Sequence, residues 1–275
     1  MKLSFLTINT HKGFSTFNKR FVLPELRGCV HSSGADIVFL QEVVGQNLRN
    51  AGRYFGWPEK PHHEYLAELS GFHHAYGRNA VYTAGHHGNA ILSRFPILRS
   101  EKVDISTNRV EHRGLLYAAV KLPGDKPPLH CICVHLGLLG RSRRKQFAKI
   151  CEYVQRTVPD TEPVIVAGDF NEWRRNKRDE LETRLLMKDA GLALYGRKLR
   201  TFPGMLPVFP LDRVYLRGFR ATKAQVLNKG EWRDISDHAA FLAEAEYAWG
   251  PGTSGPGTGR TLGPVAGGAG KIQSH

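Results

Sequence analysis

Six short segments carry residues able to do acid–base or metal chemistry, and each falls where an apolar run stops or starts. Asn9 follows the run at residues 3–8, and Gln41-Glu42 ends the run at 36–40. His135 follows residues 129–134, and Gly168-Asp169-Phe170-Asn171 follows residues 163–167. Asp212 opens the run at 214–216, and Ser236-Asp237-His238 precedes the run at 239–243. A carboxylate placed directly after a buried strand needs a partner, because an unpaired buried charge is very costly. A hard cation held by oxygen ligands is one such partner. Singly, each segment has a plainer reading: Asn9 as a turn cap, Glu42 as a solvated loop residue, Asp169-Phe170-Asn171 as an Asx turn, Asp237 as a cap. Six repetitions of the same placement point instead to one shared site.

The runs that must position these residues read as strands, short and apolar or alternating, at 3–8, 36–40, 90–92, 115–122, 129–134, 163–167, 214–216 and 239–243. Residues 19–31 and 142–158 read as helices, the second with Phe147, Ile150, Cys151 and Val154 on one face. The middle strands follow one another without room for crossover helices, so part of the sheet is expected to be antiparallel. Helices at both ends of the order suggest two sheets, each covered on its outside. Strand ends gather along a sheet edge, where loops build sites on a rigid frame. One domain is expected at residues 1–248. Residues 249–275 are rich in Gly, Pro, Ser and Thr and are expected to be a disordered tail.

The segments Thr7-Ile8-Asn9, Leu40-Gln41-Glu42, Gly88-Asn89-Ala90-Ile91-Leu92-Ser93-Arg94, Val134-His135-Leu136, Ala167-Gly168-Asp169-Phe170-Asn171, Leu211-Asp212-Arg213 and Ser236-Asp237-His238 together resemble the endonuclease/exonuclease/phosphatase superfamily. That superfamily includes DNase I-like nucleases, abasic-site endonucleases, sphingomyelinases and inositol phosphatases. The resemblance implies a four-layer α/β/β/α sandwich of two mixed, partly antiparallel sheets. It also implies a divalent metal, Mg²⁺ or Mn²⁺, and hydrolysis of a phosphoester. By the same resemblance Glu42 is the main metal ligand, with Asn9 and Asp237 beside it. Asp169 orients or deprotonates the attacking water, and Asn171 holds water or a phosphate oxygen. His238 contacts the phosphate with Asp212 behind it, and His135 is a second imidazole near the phosphate. Either Asp169 or the Asp212–His238 pair can be the base. Asn89 and Arg113 are candidate substrate or supporting residues. Some members carry an acidic residue where this chain has His11, and a histidine suits a hard ion less well, so a single metal is expected.

Charge narrows the partner. The formal net charge of +14 over 275 residues implies an anionic one, either nucleic acid or a phospholipid surface. Basic runs at 141–145 and 174–178 could track phosphates, and the apolar segment 204–210 just before Asp212 could dip into lipid or pack beneath the site. A non-catalytic binding module for the same anionic ligands is the alternative, disfavoured by the complete set of polar residues. Cys131, Cys133 and His135 share a strand face, but successive residues on one strand rarely converge as a tetrahedral zinc site, so the cysteines read as small buried apolar groups. The pairs His62-His63, His73-His74 and His86-His87 read as loop residues. The four cysteines form no disulfide framework, and no apolar run is long enough for a leader or a membrane span, so a monomeric cytoplasmic protein is expected, peripheral at most to a membrane.

Overall fold

Every central strand sends alternate side chains to two different cores, and this sets the layering. The structure is a computed structural model that describes residues 1–108, 111–173 and 180–248. One sheet contains β1 (Lys2–Asn9), β2 (Ile37–Asn47), β3 (His73–Tyr82), β4 (Gly85–Ser93), β11 (Phe219–Leu227) and β12 (Ala240–Tyr247), in the order β11-β12-β1-β2-β4-β3. The other contains β5 (Ile97–Asp104), β6 (Gly114–Val120), β7 (Leu129–His135), β8 (Val164–Asp169), β9 (Lys188–Asp189) and β10 (Asp212–Arg217), in the order β5-β6-β7-β8-β10-β9. Phe5, Phe39, Cys131 and Ile165 meet in the core between the sheets. Their neighbours Leu6, Val38, Ile132 and Val166 point outward into two further cores. The period of two thus fills both faces of each sheet with apolar groups.

Helices cover the outer faces. α1 (Leu23–Ser32), the single turn α2 (Leu48–Ala51) and α3 (His62–Glu68) belong to the first half of the chain, and Leu23, Leu26, Val30 and Leu66 close the core over β1 and β2. α4 (Gly140–Thr157) lays Phe147, Ile150, Cys151 and Val154 on β7 and β8, and α5 (Glu180–Leu185) joins it through Leu181 and Leu185. α6 (Ala190–Tyr195) starts on Asp189, whose carboxylate accepts the Leu192 N–H at 2.8 Å as an N-cap. The result is the expected four-layer α/β/β/α sandwich.

β1 pairs parallel with β2 and β7 parallel with β8, the crossovers being α1 and α4, while the other described pairings are antiparallel. The C-terminal ends of both parallel pairs therefore lie at one edge. The antiparallel neighbours β10 and β12 begin at that same edge, as their registers Asp212↔Asp169 and Thr7↔Phe241 require.

The sequence reading needs correction at several places. α1 begins at Leu23 rather than at residue 19, because Phe21 is paired with Phe14, the Val22 N–H is taken by the Gly13 carbonyl, and Pro24 stands in the first turn. β2 does not stop at Glu42. It runs on to Asn47 through a bulge between Leu40 and Val43, with Glu42 at φ 55°. The histidine pairs are not loop residues: His62-His63 begin α3 and are buried, His73-His74 open β3, and His86-His87 lie in β4. β3, β5 and β11 carry polar faces, and for that reason lacked an apolar signal. The segment 204–210 is divided: Met205, Leu206 and Val208 are exposed at its tip, while Gly204 and Pro210 are buried and Phe209 packs on Trp173. The basic run at 174–178 and the tail at 249–275 lie outside the described residues.

Candidate active site

Strand register brings the acidic cluster together before any side chain is considered. His135, Asp169 and Asp212 stand side by side on β7, β8 and β10, and Asn9 stands beside Gln41 on β1 and β2. Gly168 makes this close packing feasible. Its φ is 143°, and a Cβ there would lie 2.0 Å from the Val134 carbonyl oxygen. Only glycine avoids that clash, which explains the residue in front of Asp169. Asn171 takes a left-handed φ of 48°, and its N–H donates to Asp169 Oδ1 at 2.9 Å.

Asp169 is the hub. It is 1% exposed. Its Oδ2 lies 3.3 Å from Asn9 Nδ2, 3.4 Å from Asn171 Nδ2, 3.4 Å from His135 Nε2 and 3.8 Å from His238 Nε2. Burial raises its pKa above the usual carboxylate range, with the Asp212 charge adding to the effect against the pull of the two imidazoles. His238 Nδ1 meets Asp212 Oδ2 at 2.8 Å. Burial alone would drive that ring neutral; Asp212, Asp169 and Asp237 outweigh it and push its pKa up to about 10. His135 goes the other way. Burial and the Arg113 guanidinium bring it down to about 4. Arg113 Nη1 lies 3.4 Å from His135 Nδ1, and since arginine can only donate, Nδ1 is the acceptor and Nε2 carries the proton toward Asp169. Thus two imidazoles flank one carboxylate, one charged and one neutral.

Glu42 forms the other lobe. The bulge turns its side chain toward Asn9, whose Nδ2 lies 3.4 Å from Glu42 Oε1. Burial works to raise its pKa, yet His135, Lys12 and His87 together bring it down to about 2. Lys12 Nζ lies 3.1 Å from Glu42 Oε2. Asp237 lies nearby: Ser236 Oγ donates to the Asn9 carbonyl at 2.6 Å, and Asp237 Oδ1 is 3.8 Å from His11 Nδ1. Asn89 Nδ2 donates to the carbonyls of Gly114 and Cys133 at 2.9 and 3.3 Å, which leaves its buried Oδ1 without a partner.

A divalent metal fits Glu42 better than it fits the tighter cluster. Asp169, Asp212 and His238 offer ligand atoms within 4.8 Å of one another. His238, however, has its Nδ1 committed to Asp212 at 2.8 Å. Glu42, in contrast, is an ionised oxygen donor that already holds a cation, the Lys12 ammonium. Asp237 supplies a further hard oxygen donor nearby, whereas Asn9 turns its Nδ2 to Glu42 and keeps its Oδ1 on the His11 N–H, so it would ligate only after its amide turns over. Cys131 and Cys133 are buried in the core between the sheets and are not part of such a set.

The structure also engages residues that sequence reasoning passed over. Lys12 is one. Glu111 is another: its Oε1 accepts from Arg113 at 3.0 Å and from the Leu138 N–H at 2.9 Å. Thr201 Oγ1 accepts the Asp212 N–H at 3.0 Å. None lies within a motif of acidic residues after a strand, although Lys12 stands three residues from Asn9. Arg113, a candidate substrate contact, spends its guanidinium on Glu111 and His135.

A four-layer sandwich with carboxylates, amides and imidazoles at one common strand edge defines a class of phosphoester hydrolases. The sequence profile of the Endonuclease/Exonuclease/phosphatase family matches residues 6–238, and the chain belongs to that family. It is 45% identical over 239 residues to the protein YbhP of Escherichia coli (strain K12), across 87% of this chain and 94% of the relative. Among solved structures, an endonuclease/exonuclease/phosphatase from Beutenbergia cavernae superposes with a TM-score of 0.67 at 19% identity, covering 90% of this chain and 72% of that one. Danio rerio TDP2, solved in complex with a single-strand DNA product, superposes with a TM-score of 0.63 at 21% identity, covering 89% and 99%. These structural likenesses establish the fold, and the family places the chain among hydrolases of the phosphodiesterase and nuclease type.

Proposed function

We propose that the protein is a phosphodiesterase dependent on Mg²⁺ or Mn²⁺, and the observation that carries this reading is Asp169, a buried carboxylate of raised proton affinity at the centre of amide and imidazole donors. Glu42, with Asn9 and Asp237, would hold the metal, which when bound supplies neutralisation of the phosphate charge. Asp169 takes the proton of the attacking water, and Asn171 orients that water. His238 Nε2–H donates to a phosphate oxygen, with Asp212 fixing the ring through Nδ1. His135 Nε2–H is a second donor, held in its tautomer by Arg113. The unpartnered Oδ1 of Asn89 offers an acceptor for water or a substrate hydroxyl. Bis-p-nitrophenyl phosphate tests the reading. Hydrolysis should require Mg²⁺ or Mn²⁺ and stop with EDTA. Asp169→Ala should lower kcat by about 10²–10⁴-fold. Turnover that persists in EDTA and in Asp169→Ala would overturn it.

The favoured carrier of the diester is a phospholipid headgroup at an anionic bilayer. Three segments anchored on the site end in exposed apolar tips. Thr16 Oγ1 donates to the Ser236 carbonyl at 3.3 Å, and Phe17 beside it is 80% exposed. The Gly204 N–H donates to the Asp237 carbonyl at 2.6 Å, and Leu206 is 75% exposed. Leu138 and Leu139, three and four residues after His135, are exposed and line a cavity of about 620 Å³ with Arg141 and Lys145. Two of the tips have exposed basic residues close in sequence, Lys19 and Arg20 after Phe17, and Arg141 with Lys145 after Leu139. Apolar tips among basic side chains suit peripheral binding to anionic lipid. Nucleic acid is the second reading, favoured by Trp173, Phe202 and Phe209, whose rings pack 5.0–5.6 Å apart next to His238 and could stack a base. Incubation with phosphatidylglycerol vesicles and with oligonucleotides separates the two. Release of a phosphorylated headgroup is expected, slowed by Leu206→Ser and Phe17→Ser, with bis-p-nitrophenyl phosphate hydrolysis unchanged. Cleaved DNA with intact lipid would establish the second reading instead.

A further inference from the structure

We infer that Lys12 is a tethered counter-ion for Glu42, so that a divalent cation enters the site by displacing the lysine ammonium rather than by filling an open carboxylate. The inference rests on the reading of Glu42 as a metal ligand and concerns what holds that ligand beforehand.

Both oxygens of Glu42 already face donors. Oε1 lies 3.4 Å from Asn9 Nδ2, and Oε2 lies 3.1 Å from Lys12 Nζ. Glu42 Oε2 accepts no hydrogen bond, so its lone pairs are available to a cation, and the group standing at that oxygen is the Lys12 ammonium. Asn9 is 3% exposed and tied on several sides: its Oδ1 accepts the His11 N–H at 3.0 Å, its carbonyl accepts from Ser236 at 2.6 Å, and its Nδ2 also reaches Asp169. The Lys12 side chain is 43% exposed and flexible, so it is the partner able to leave. Two positive groups at contact distance from the same carboxylate oxygen repel one another, which makes the occupancies competitive.

The backbone is built to deliver Lys12 to this place. Thr10 N and Thr10 Oγ1 both donate to the Gln41 carbonyl at 2.9 Å, which lashes the turn to β2 one residue before Glu42. Gly13 N–H then closes on the Thr10 carbonyl at 2.8 Å, and Phe14 N–H on the His11 carbonyl at 3.0 Å. His11 and Lys12 are both left-handed, at φ 45° and 57°. Non-glycine residues adopt that region rarely and at a cost, so the surroundings must impose it. An extended path at this point would carry Lys12 away from the bulge. In the absence of a divalent cation the ammonium keeps a largely buried carboxylate paired.

Direct measurement of Mn²⁺ binding by calorimetry tests the exchange, with no need of turnover. Lys12→Met should bind Mn²⁺ about three- to tenfold more tightly than wild type, the range expected for losing a partly exposed competing ion pair. Lys12→Arg, which keeps the charge, should stay near wild type. Lys19→Met, which removes a nearby exposed charge that does not touch Glu42, should change affinity much less. In parallel, acetylation of Lys12 by an N-hydroxysuccinimide ester, read by mass spectrometry, should speed up when Mg²⁺ is added. Equal affinity in Lys12→Met and wild type, or an equal gain in Lys19→Met, would overturn the inference while leaving Glu42 as a metal ligand. No Mn²⁺ binding in wild type or Lys12→Met would remove the metal reading and this inference with it.

Discussion

At the residue scale, the site sets two buried imidazoles apart. Burial and the Arg113 guanidinium lower the pKa of His135, while at His238 three carboxylates outweigh burial and raise it. The Asp212–His238 contact at 2.8 Å is buried on both sides. Asp212→Asn keeps an acceptor of the same shape but removes the charge that favours the imidazolium. We expect it to lower kcat on bis-p-nitrophenyl phosphate by about 10²–10⁴-fold, with KM changed far less and the fold unaltered by circular dichroism. An unchanged kcat would show that His238 works without Asp212. Asp212 and His238 were legible in the sequence because each sits at a strand start among apolar residues. Lys12 and Glu111 were not, because a lysine in a turn and a glutamate in a loop look like any solvated residue until the fold brings a partner to them.

At the element scale, function follows from where strands end and how they bend. The edge at which β1, β7 and β8 end, and at which β2 bulges at Glu42, is the edge at which β10 and β12 begin, so six segments far apart in the chain converge. Gly168 lets β7 and β8 approach without a side chain between them. Gly168→Ala forces a Cβ against the Val134 carbonyl and a left-handed-side φ on alanine. We expect a loss of stability of about 1–3 kcal/mol or more, read as a lower urea midpoint, together with reduced activity from a displaced Asp169. A variant as stable as wild type would show that the strands can part without cost. The apolar strands were readable from their residues, while the Glu42 bulge was not, because no glycine or proline marks it and the pairing partner on β4 decides it.

At the scale of the whole molecule, two histidines of α3 make the fold sensitive to acid. His62 packs on Trp57 and Phe21, and His63 stacks on Tyr76. Burial lowers their pKa values to about 3 and about 4 from an ordinary 6.5. Between these values the unfolded chain binds protons that the folded chain does not. The contribution of these two groups is therefore full above about pH 6.5 and falls as pH drops, by up to about 1.4 kcal/mol per unit for each group. The urea midpoint should fall steadily from pH 7 to pH 4.5, and His62→Gln should flatten that slope. An unchanged slope in His62→Gln would place the acid sensitivity elsewhere. Charge acts at this scale too: with a net charge of +14, binding to anionic vesicles or to DNA should weaken as salt rises.

By itself the sequence determined the apolar strands and the acidic residues at their ends, because apolar periodicity and the cost of a buried charge are local properties of the chain, while the sandwich was implied by the family resemblance of its motifs. Only the tertiary structure decided which of those residues share a charge network. Asp169 meets Asn9 across 160 positions and Asp237 packs near His11 from the far end of the chain, so their proton affinities depend on contacts that no local pattern encodes. The same holds for the ammonium of Lys12 on Glu42, which exists because a strained turn and a bulge, each set by hydrogen bonds to a neighbouring strand, happen to face one another.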